Sequence, residues 1–189
     1  MSIIPKKPFI FIRHGQTDWN KQEITMGSKD IPLNELGRKQ ALEAQQKLGD
    51  MSFQVIYSSS LARTIETTQI INEKFKVQVL ISSKLVERRW GAIEGKPHSV
   101  RKSRSPTSLL PEGAESDAEF RGRVVTAFQE ILSGTKETIV PLVVSHGGLF
   151  KILAELLANN NQLRADNCSI FKFDPPTHNH DLWDIKESG

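Results

Sequence analysis

The chain has 189 residues and a formal net charge of +3, from 25 lysines and arginines against 22 aspartates and glutamates. This length predicts one domain over 1–189, large enough to bury a core without disulfide bonds. The single cysteine, Cys168, excludes a disulfide within the chain and favours a reducing, cytoplasmic location. No apolar run approaches the roughly 20 residues of a membrane span, and the first one ends at Arg13, so we expect neither a signal peptide nor a membrane partner.

Strands and helices alternate along the sequence. Six apolar runs predict strands over 8–13, 53–57, 77–81, 139–145, 168–173 and 181–185. Four stretches with helical periodicity lie between them, over 34–48, 60–75, 116–132 and 147–158. Asn34 is a candidate N-cap, and Ser116 with Glu119 forms a capping-box pattern. This alternation favours an α/β fold built in layers around a largely parallel sheet.

A long loop follows the third predicted strand. Residues 96–115 contain three prolines and predict a surface loop on the substrate side, with room for one helical turn. Residues 84–104 carry seven basic residues against two glutamates. This positive field favours an anionic ligand, although a solvated basic loop would give the same pattern. Aromatic residues are scarce around Trp90, which disfavours a nucleic-acid partner.

Ionisable residues follow four of the predicted strands, at the points where the apolar runs end. They are Arg13-His14-Gly15, Arg63, Glu87-Arg88 and Ser145-His146-Gly147-Gly148. Because the carboxyl ends of parallel strands share one edge of a sheet, we expect these residues to meet there. Helices that begin just beyond residues 60 and 146 would direct free N–H groups to the same place. The sequence therefore predicts a phosphoryl-binding site, although each residue taken alone also has an ordinary structural interpretation.

The same residues belong to a longer ordered pattern that resembles the histidine phosphatase superfamily, which includes the phosphoglycerate-mutase-like proteins. The pattern spans nearly the whole chain in the order found in that family. It consists of Arg13-His14-Gly15-Gln16-Thr17, Asn20, Gly27, Asp30, Pro32-Leu33, Gly37, Gln40-Ala41, Ser59, Leu61, Arg63-Thr64, Glu87-Arg88, Gly91, Glu94-Gly95 and Ser145-His146-Gly147-Gly148. The resemblance implies a three-layer α/β/α sandwich with a mainly parallel central sheet.

The resemblance also implies how the site would work. In this family the histidine of the RHG motif, here His14, attacks phosphorus and becomes a phosphohistidine. Glu87 would protonate the leaving oxygen and then deprotonate the attacking water. Nitrogen donors would bind the phosphate oxygens and spread the transition-state charge. These donors are Arg13, Asn20, Arg63, Arg88, His146 and the backbone N–H of Gly147. No metal or other cofactor is expected, because the cationic side chains neutralise the phosphate.

These roles describe a metal-independent phosphomonoesterase that acts on a small phosphorylated metabolite. One alternative is a cofactor-dependent phosphoglycerate mutase, which needs a lid and a second anion-binding patch. The loop 96–115 is short for a lid, but Arg101, Lys102 and Arg104 could form such a patch. The other alternative is a non-catalytic phospho-ligand-binding protein, which would be expected to lack part of the catalytic set. A homodimer is left open.

Two further features have simpler interpretations. The segment with His178 and His180 resembles a metal cluster, but we interpret it as a solvated loop, because no other ligand candidate is spaced with it. Cys168 falls in a predicted strand and is expected to be a small buried side chain. The Arg89-Trp90 pair and an additional Ala114 depart from the family pattern near the expected substrate entrance. They therefore bear on specificity rather than on the chemistry.

Overall fold

A computed structural model describes residues 4–103, 109–177 and 181–188. Its strands are Phe9–Arg13 (β1), Val55–Ser59 (β2), Gln78–Ser82 (β3), Pro141–Ser145 (β4), Ile170–Asp174 (β5) and Asp184–Ser188 (β6). Its α-helices are Asp18–Lys21 (α1), Glu35–Lys47 (α2), Ala62–Phe75 (α3), His98–Lys102 (α4), Asp117–Gly134 (α5) and Gly147–Ala158 (α6). Among these residues, no helix combines the length and the apolar character needed to cross a membrane.

The strands form one six-stranded sheet in the order β3-β2-β4-β1-β5-β6. The first four strands of that order run parallel, and β5 and β6 are antiparallel to their neighbours. The predicted mainly parallel sheet is therefore confirmed. The four parallel strands β3, β2, β4 and β1 have their carboxyl ends along one edge of the sheet, where α/β folds bind their ligands.

Side chains of the central strands enter two cores, one on each face of the sheet. In β1, Phe9 and Phe11 pack into the core that also contains buried residues of α5 and α6. Ile10 and Ile12 point the other way, into the core shared with α2 and α3. Each such buried side chain contributes roughly 1.5–3 kcal/mol. The continuous apolar run of β1 is thus explained by helices on both faces of the sheet, as in a three-layer sandwich.

The helix starts follow the predicted capping residues. The Asn34 side chain accepts a hydrogen bond from the Gly37 N–H at 2.9 Å, and α2 begins at Glu35, directly after Asn34. Ser116 and Glu119 form the expected capping box at the start of α5. The five-residue helix α4 supplies the helical turn expected in the loop 96–115, of which residues 104–108 lie outside the described part.

The strand boundaries differ from the prediction by up to three residues, and the ends of β2 and β6 differ most. Strand β2 continues to Ser59 instead of ending near residue 57, because Ser58 and Ser59 pair with residues of β3 and are fully buried. The last strand lies at Asp184–Ser188 rather than at 181–185. Its register is set by pairing with β5, in which Phe173 lies opposite Ile185. Trp183 precedes the strand and packs against the Phe9 ring.

Candidate active site

A cleft of about 700 Å³ opens at the carboxyl edge of the four parallel strands. Its floor contains Arg13, His14, Arg63 and Glu87, so the predicted clusters do meet. Arg13 and His14 follow from β1, Arg63 lies in the first turn of α3, and Glu87 follows β3. The remaining cluster, Ser145 to Gly148, joins β4 to α6 at the same edge.

His14 is buried, with 2% of its surface exposed, and is tightly held. Its Nδ1 lies 2.7 Å from the Gly15 carbonyl oxygen. Because a carbonyl can only accept, Nδ1 carries the proton and Nε2 keeps its lone pair. The backbone is fixed by a bond from the His14 N–H to the Ser145 carbonyl oxygen, and by the Asn167 side chain, which donates to the His14 carbonyl oxygen. His14 is therefore held in the tautomer that a nucleophile requires.

The surroundings of His14 keep it neutral. Burial lowers its pKa well below the ordinary value, and the nearby charges of Arg63 and Arg13 lower it further. The bond to the Gly15 carbonyl acts in the opposite direction but does not reverse the shift. A neutral imidazole beside two guanidinium groups has a lone pair available at physiological pH, which a protonated ring would lack.

Arg63 is fully buried, and backbone carbonyls hold its guanidinium group. Its Nη1 donates to the Lys29 carbonyl at 2.7 Å and its Nη2 to the Gly27 carbonyl at 2.9 Å. Burial lowers its pKa to about 10, while the Glu87 and Asp30 carboxylates act the other way, so the group stays charged at neutral pH. Because these carbonyls are neutral, they orient the cation without cancelling its charge, which suits it to an anionic ligand.

Arg13 has the same kind of support. Its Nη1 donates to the Ala165 carbonyl at 2.9 Å. Its Nε is buried and has no hydrogen-bond partner in the part of the chain that the structure describes. Burial lowers the pKa of Arg13, and Glu87 and Asp166 partly counter this effect. An unpaired buried donor is costly, so this N–H is a candidate ligand for an oxygen atom bound in the cleft.

His146 lies beside His14, with ring centroids 5.2 Å apart, but both of its nitrogens are engaged. Nδ1 accepts a bond from Arg63 Nε at 3.3 Å, and Nε2 lies 2.9 Å from the Ser59 hydroxyl. Since a guanidinium can only donate, the proton of His146 lies on Nε2 and is directed at Ser59. In this geometry the ring orients Arg63 from behind, which differs from the direct phosphate contact expected from the sequence.

Glu87 is anchored through both carboxylate oxygens. Oε2 accepts from the Gly148 N–H at 2.9 Å, and Oε1 accepts from the Arg88 N–H at 2.8 Å. A side chain at position 148 would collide with the carboxylate, which explains the glycine there. The first turn of α6 therefore positions this acidic group at the edge of the cleft beside the Arg13 and Arg63 guanidinium groups.

Arg88 lines the cleft, but its guanidinium is already bound by protein groups. Nε and Nη2 donate to the Glu115 carbonyl, at 3.1 and 3.0 Å, and Nη1 pairs with Asp117. The group also lies over the Trp90 ring, 4.4 Å from its centroid. These contacts attach the segment after β3 to the start of α5, a role that charge alone in the sequence does not reveal.

The two remaining predicted phosphate donors, Asn20 and the backbone of Gly147, also line the cleft. Asn20 lines the cleft, and its Oδ1 accepts from the Thr17 N–H at 3.1 Å. Its amide nitrogen has no partner among the described residues, so it is available as a donor. Gly147 begins α6, lines the cleft and lies against the Arg13 guanidinium, and an N–H in the first turn of a helix has no partner within that helix.

Three positioning residues were not given roles by sequence reasoning. Ser59 contacts His146, Asn167 donates to the His14 carbonyl, and Thr67 accepts from the Gly15 N–H at 3.1 Å. Ser59 already belongs to the Ser-x-Leu-x-Arg part of the family-like pattern, so a signal for it exists. Thr67 and Asn167 reach the site only through tertiary packing, and a single sequence carries no such signal.

The remaining sequence expectations concern metals and Cys168. Over residues 4–103, 109–177 and 181–188, no cluster of three or more histidine, cysteine or carboxylate side chains could hold a metal ion. His178 and His180 lie outside this part of the chain, as does Arg104. Cys168 is buried as expected, but it lies in a turn before β5 and not in a strand, and its burial raises the pKa of the thiol to about 12.

The two buried histidines predict a loss of stability in acid. The pKa values of both His14 and His146 are lowered in the folded protein, mainly by burial. Below about pH 6.5 the unfolded chain binds protons that the folded protein refuses, so each histidine should cost up to about 1.4 kcal/mol per pH unit. Melting temperatures measured from pH 8 to pH 5 should fall less steeply for His14→Asn and for His146→Asn than for the wild type. Identical slopes in all three proteins would contradict this explanation.

Comparisons with known proteins agree with the geometry. The family model of the histidine phosphatase superfamily (branch 1) matches residues 9–186. The uncharacterized phosphatase PhoE of Bacillus subtilis is 32% identical over 155 residues, which cover 82% of this chain and 79% of that protein. The phosphoglycerate mutase-like protein 4 of Arabidopsis thaliana is 34% identical over 160 residues, covering 77% and 69%. The solved structure of mycobacterial glucosyl-3-phosphoglycerate phosphatase with VO3 has a TM-score of 0.79 and 25% identity, covering 95% and 97%. The chain belongs to the histidine phosphatase superfamily.

Proposed function

We propose that this protein is a metal-independent phosphomonoesterase that hydrolyses small phosphorylated metabolites through a phosphohistidine at His14. One observation supports this proposal most directly. A neutral, buried histidine keeps the lone pair of Nε2 next to the Arg13 and Arg63 guanidinium groups, neither of which forms a salt bridge within the described part of the chain. This arrangement attracts a phosphoryl group and holds a nucleophile against it.

In the first step, Nε2 of His14 attacks phosphorus while the bond to the ester oxygen breaks. Arg13 Nε and the remaining N–H groups of Arg63 donate to the equatorial oxygens, where the negative charge lies. Glu87, held at the cleft edge by Gly148 and Arg88, gives its proton to the leaving oxygen. The products of this step are an alcohol and a phosphorylated His14.

In the second step, the Glu87 carboxylate takes a proton from water, and the resulting oxygen attacks phosphorus. The bond between phosphorus and Nε2 breaks, inorganic phosphate leaves, and Glu87 is again protonated. His146 acts through Arg63 in both steps, because its Nδ1 accepts from the Arg63 Nε and so fixes the plane of the guanidinium.

Names of relatives support a phosphatase and a small phosphorylated substrate. The Bacillus subtilis relative is named a phosphatase, and the mycobacterial structure is named a glucosyl-3-phosphoglycerate phosphatase. The cytoplasmic location, the single-domain organisation over 1–189 and a homodimer remain predictions from the sequence.

A phosphoglycerate mutase is the second candidate, favoured by the name of the Arabidopsis thaliana relative. A mutase must keep water away from its phosphohistidine while the intermediate reorients. In the described part of the loop 96–115, only the five-residue helix α4 contributes side chains to the cleft lining. This is little material for excluding water, so we favour hydrolysis.

The test of the function is phosphate release from a broad panel of phosphomonoesters, with EDTA present. The wild type should release phosphate from several compounds and should interconvert 2- and 3-phosphoglycerate poorly, even with 2,3-bisphosphoglycerate. His14→Asn should abolish release while its circular dichroism spectrum stays that of the wild type. Mutase turnover far above phosphate release from every compound would favour the second candidate. Phosphate release by the His14→Asn variant would rule out a mechanism through a phosphohistidine at this residue.

Replacing Glu87 should affect substrates according to their leaving groups. Glu87→Gln should lower kcat by about 10²–10⁴-fold with alkyl phosphates, since it cannot donate the proton that these leaving groups need. The loss should be much smaller with p-nitrophenyl phosphate, whose leaving group departs without protonation. Glu94→Gln is the matched control, because the Glu94 carboxylate accepts from the Ser28 N–H and hydroxyl and from the Trp90 N–H and does not line the cleft. It should affect both substrate types alike, and the same pattern in Glu87→Gln would make Glu87 a structural residue.

Ser59 should matter because it accepts the proton of His146. Ser59→Ala leaves Nε2–H of His146 buried without an acceptor, so the ring and Arg63 should lose their fixed orientation. We expect kcat to fall by roughly 10–100-fold, as for other residues that orient a ligand from behind. The control is Ser58→Ala, since Ser58 is equally buried but bonds to the Ser59 carbonyl. Equal kcat values for the two alanine variants would exclude this role.

A further inference from the structure

The segment that carries Glu87 lies beyond the sheet. Strand β3 ends at Ser82, and a single turn of 3-10 helix over Ser83–Leu85 follows it. The Ser145 hydroxyl donates to the Leu85 carbonyl at 2.9 Å, which attaches this turn to the end of β4. A general acid must stay within hydrogen-bond distance of the leaving oxygen, so the backbone at Glu87 needs support that strand pairing does not give.

Arg123 of α5 supplies that support. Its Nη1 donates to the Lys84 and Val86 carbonyls, at 2.9 and 2.6 Å, and its Nη2 donates to the Glu87 carbonyl at 3.3 Å. One planar guanidinium group can bind these three carbonyls because its N–H groups point in different directions within one plane. Together with the bond from Ser145, four successive carbonyls of this segment therefore accept from side chains of other elements.

Glu115 sets the orientation of Arg123. Its carboxylate accepts from Arg123 Nε at 2.8 Å and from Nη2 at 2.7 Å, in the bidentate geometry that fixes the plane of a guanidinium. Only 3% of the Glu115 side chain is exposed. Burial acts to raise the pKa of this carboxyl, but the hydrogen bonds and the charge of Arg123 hold the pKa below its ordinary value. The pair is therefore ionised at neutral pH, and the remaining N–H groups of Arg123 face the segment that carries Glu87.

Arg123 acts on Glu87 through the main chain. Among the described residues, its donors reach the Glu87 carbonyl and not the carboxylate, which accepts from the Gly148 and Arg88 N–H groups. A segment released by Arg123 would carry the carboxylate away from the Gly148 N–H and from the leaving oxygen. A displacement of about 1 Å at a reacting group can cost about 10²-fold in rate.

We propose that the Arg123–Glu115 pair positions the general acid, because it holds the main chain at Glu87 where the carboxylate meets the leaving oxygen. This inference rests on the proposed phosphatase function. Neither residue of the pair belongs to the cleft lining, so both act without contacting the substrate. They are positioning residues, and their effect on the reaction passes through Glu87.

The first test compares substrates with different leaving groups. Arg123→Lys keeps the positive charge but has no planar fork, so it cannot bind Glu115 in bidentate geometry and reach three carbonyls at once. We expect kcat/KM, which reports formation of the phosphohistidine, to fall by roughly 10–100-fold with alkyl phosphates. The fall should be much smaller with p-nitrophenyl phosphate, whose leaving group needs no proton. Equal losses with both substrate types would refute the positioning role.

Two further variants separate positioning from stability. Arg123→Met combined with Glu115→Leu replaces the ion pair by apolar side chains, a change that proteins often tolerate without loss of stability. It removes every donor of Arg123 and should show the same selective loss with alkyl phosphates. The control is Ile131→Val, a buried core residue of the same helix, which weakens packing alone. It should affect both substrate types alike.

A double-mutant cycle tests whether the effect passes through Glu87. In the Glu87→Gln background the general acid is already lost, so Arg123→Lys should cause little further fall in kcat/KM with alkyl phosphates. Losses that multiply in the double variant would mean that Arg123 acts independently of Glu87, and would refute the inference.

Hydrogen exchange at the Gly148 N–H gives a test without substrate. This N–H lies in the first turn of α6, where it has no partner within the helix, and it donates to Glu87 Oε2. Its exchange measured by NMR should be several-fold faster in Arg123→Lys than in the wild type and in Ile131→Val. Equal rates would refute the inference while the phosphatase stands. If the wild type hydrolyses no phosphomonoester, the proposed function fails, and the exchange rates still decide whether the pair holds Glu87.

Discussion

The pairing of β1 with β4 is the constraint on which the site depends. Arg13 lies opposite Ser145 in this parallel pair, and the His14 N–H donates to the Ser145 carbonyl. Both histidines therefore leave the sheet at the same level, one residue after their strands, with rings 5.2 Å apart. A shift of one residue in this register would turn Phe11 and the other core side chains of β1 to the opposite face of the sheet. Both cores would then lose their packing. Core packing thus fixes the geometry of the polar site.

The site gathers positive charge and supports it with neutral groups. Arg63 donates to two carbonyls and to His146, and Arg13 donates to the Ala165 carbonyl. Carboxylates in those positions would cancel the positive charge that an anion needs. The charges of Arg63 and Arg13 add to burial in lowering the pKa of His14, which keeps its lone pair free. The cost of this arrangement is stability in acid, because the unfolded chain binds protons that the folded protein refuses.

The sequence could predict the position of the site because strand ends carry their own signals. Apolar runs that stop at Arg13-His14 and at Ser145-His146 identify the edge, and the capping patterns of Asn34 and Ser116 identify the helix starts. The predicted end of β2 was wrong, because serines are common in turns and the sequence does not show that Ser58 and Ser59 are buried. The partners of Arg88 and of His146 depend on residues distant in the chain, and local sequence patterns carry no information on such contacts.

The two sides of the cleft belong to different kinds of structure. Arg13, His14 and Arg63 stand at strand ends and helix starts, whereas Trp90 and Arg101 stand on the connection between β3 and α5. The same connection carries Glu87, and Arg123 of α5 holds it in place. It donates to the Lys84 and Val86 carbonyls and pairs with the buried Glu115 at 2.7 Å. Residues beyond Glu87 on this connection can therefore change without displacing the Glu87 carboxylate.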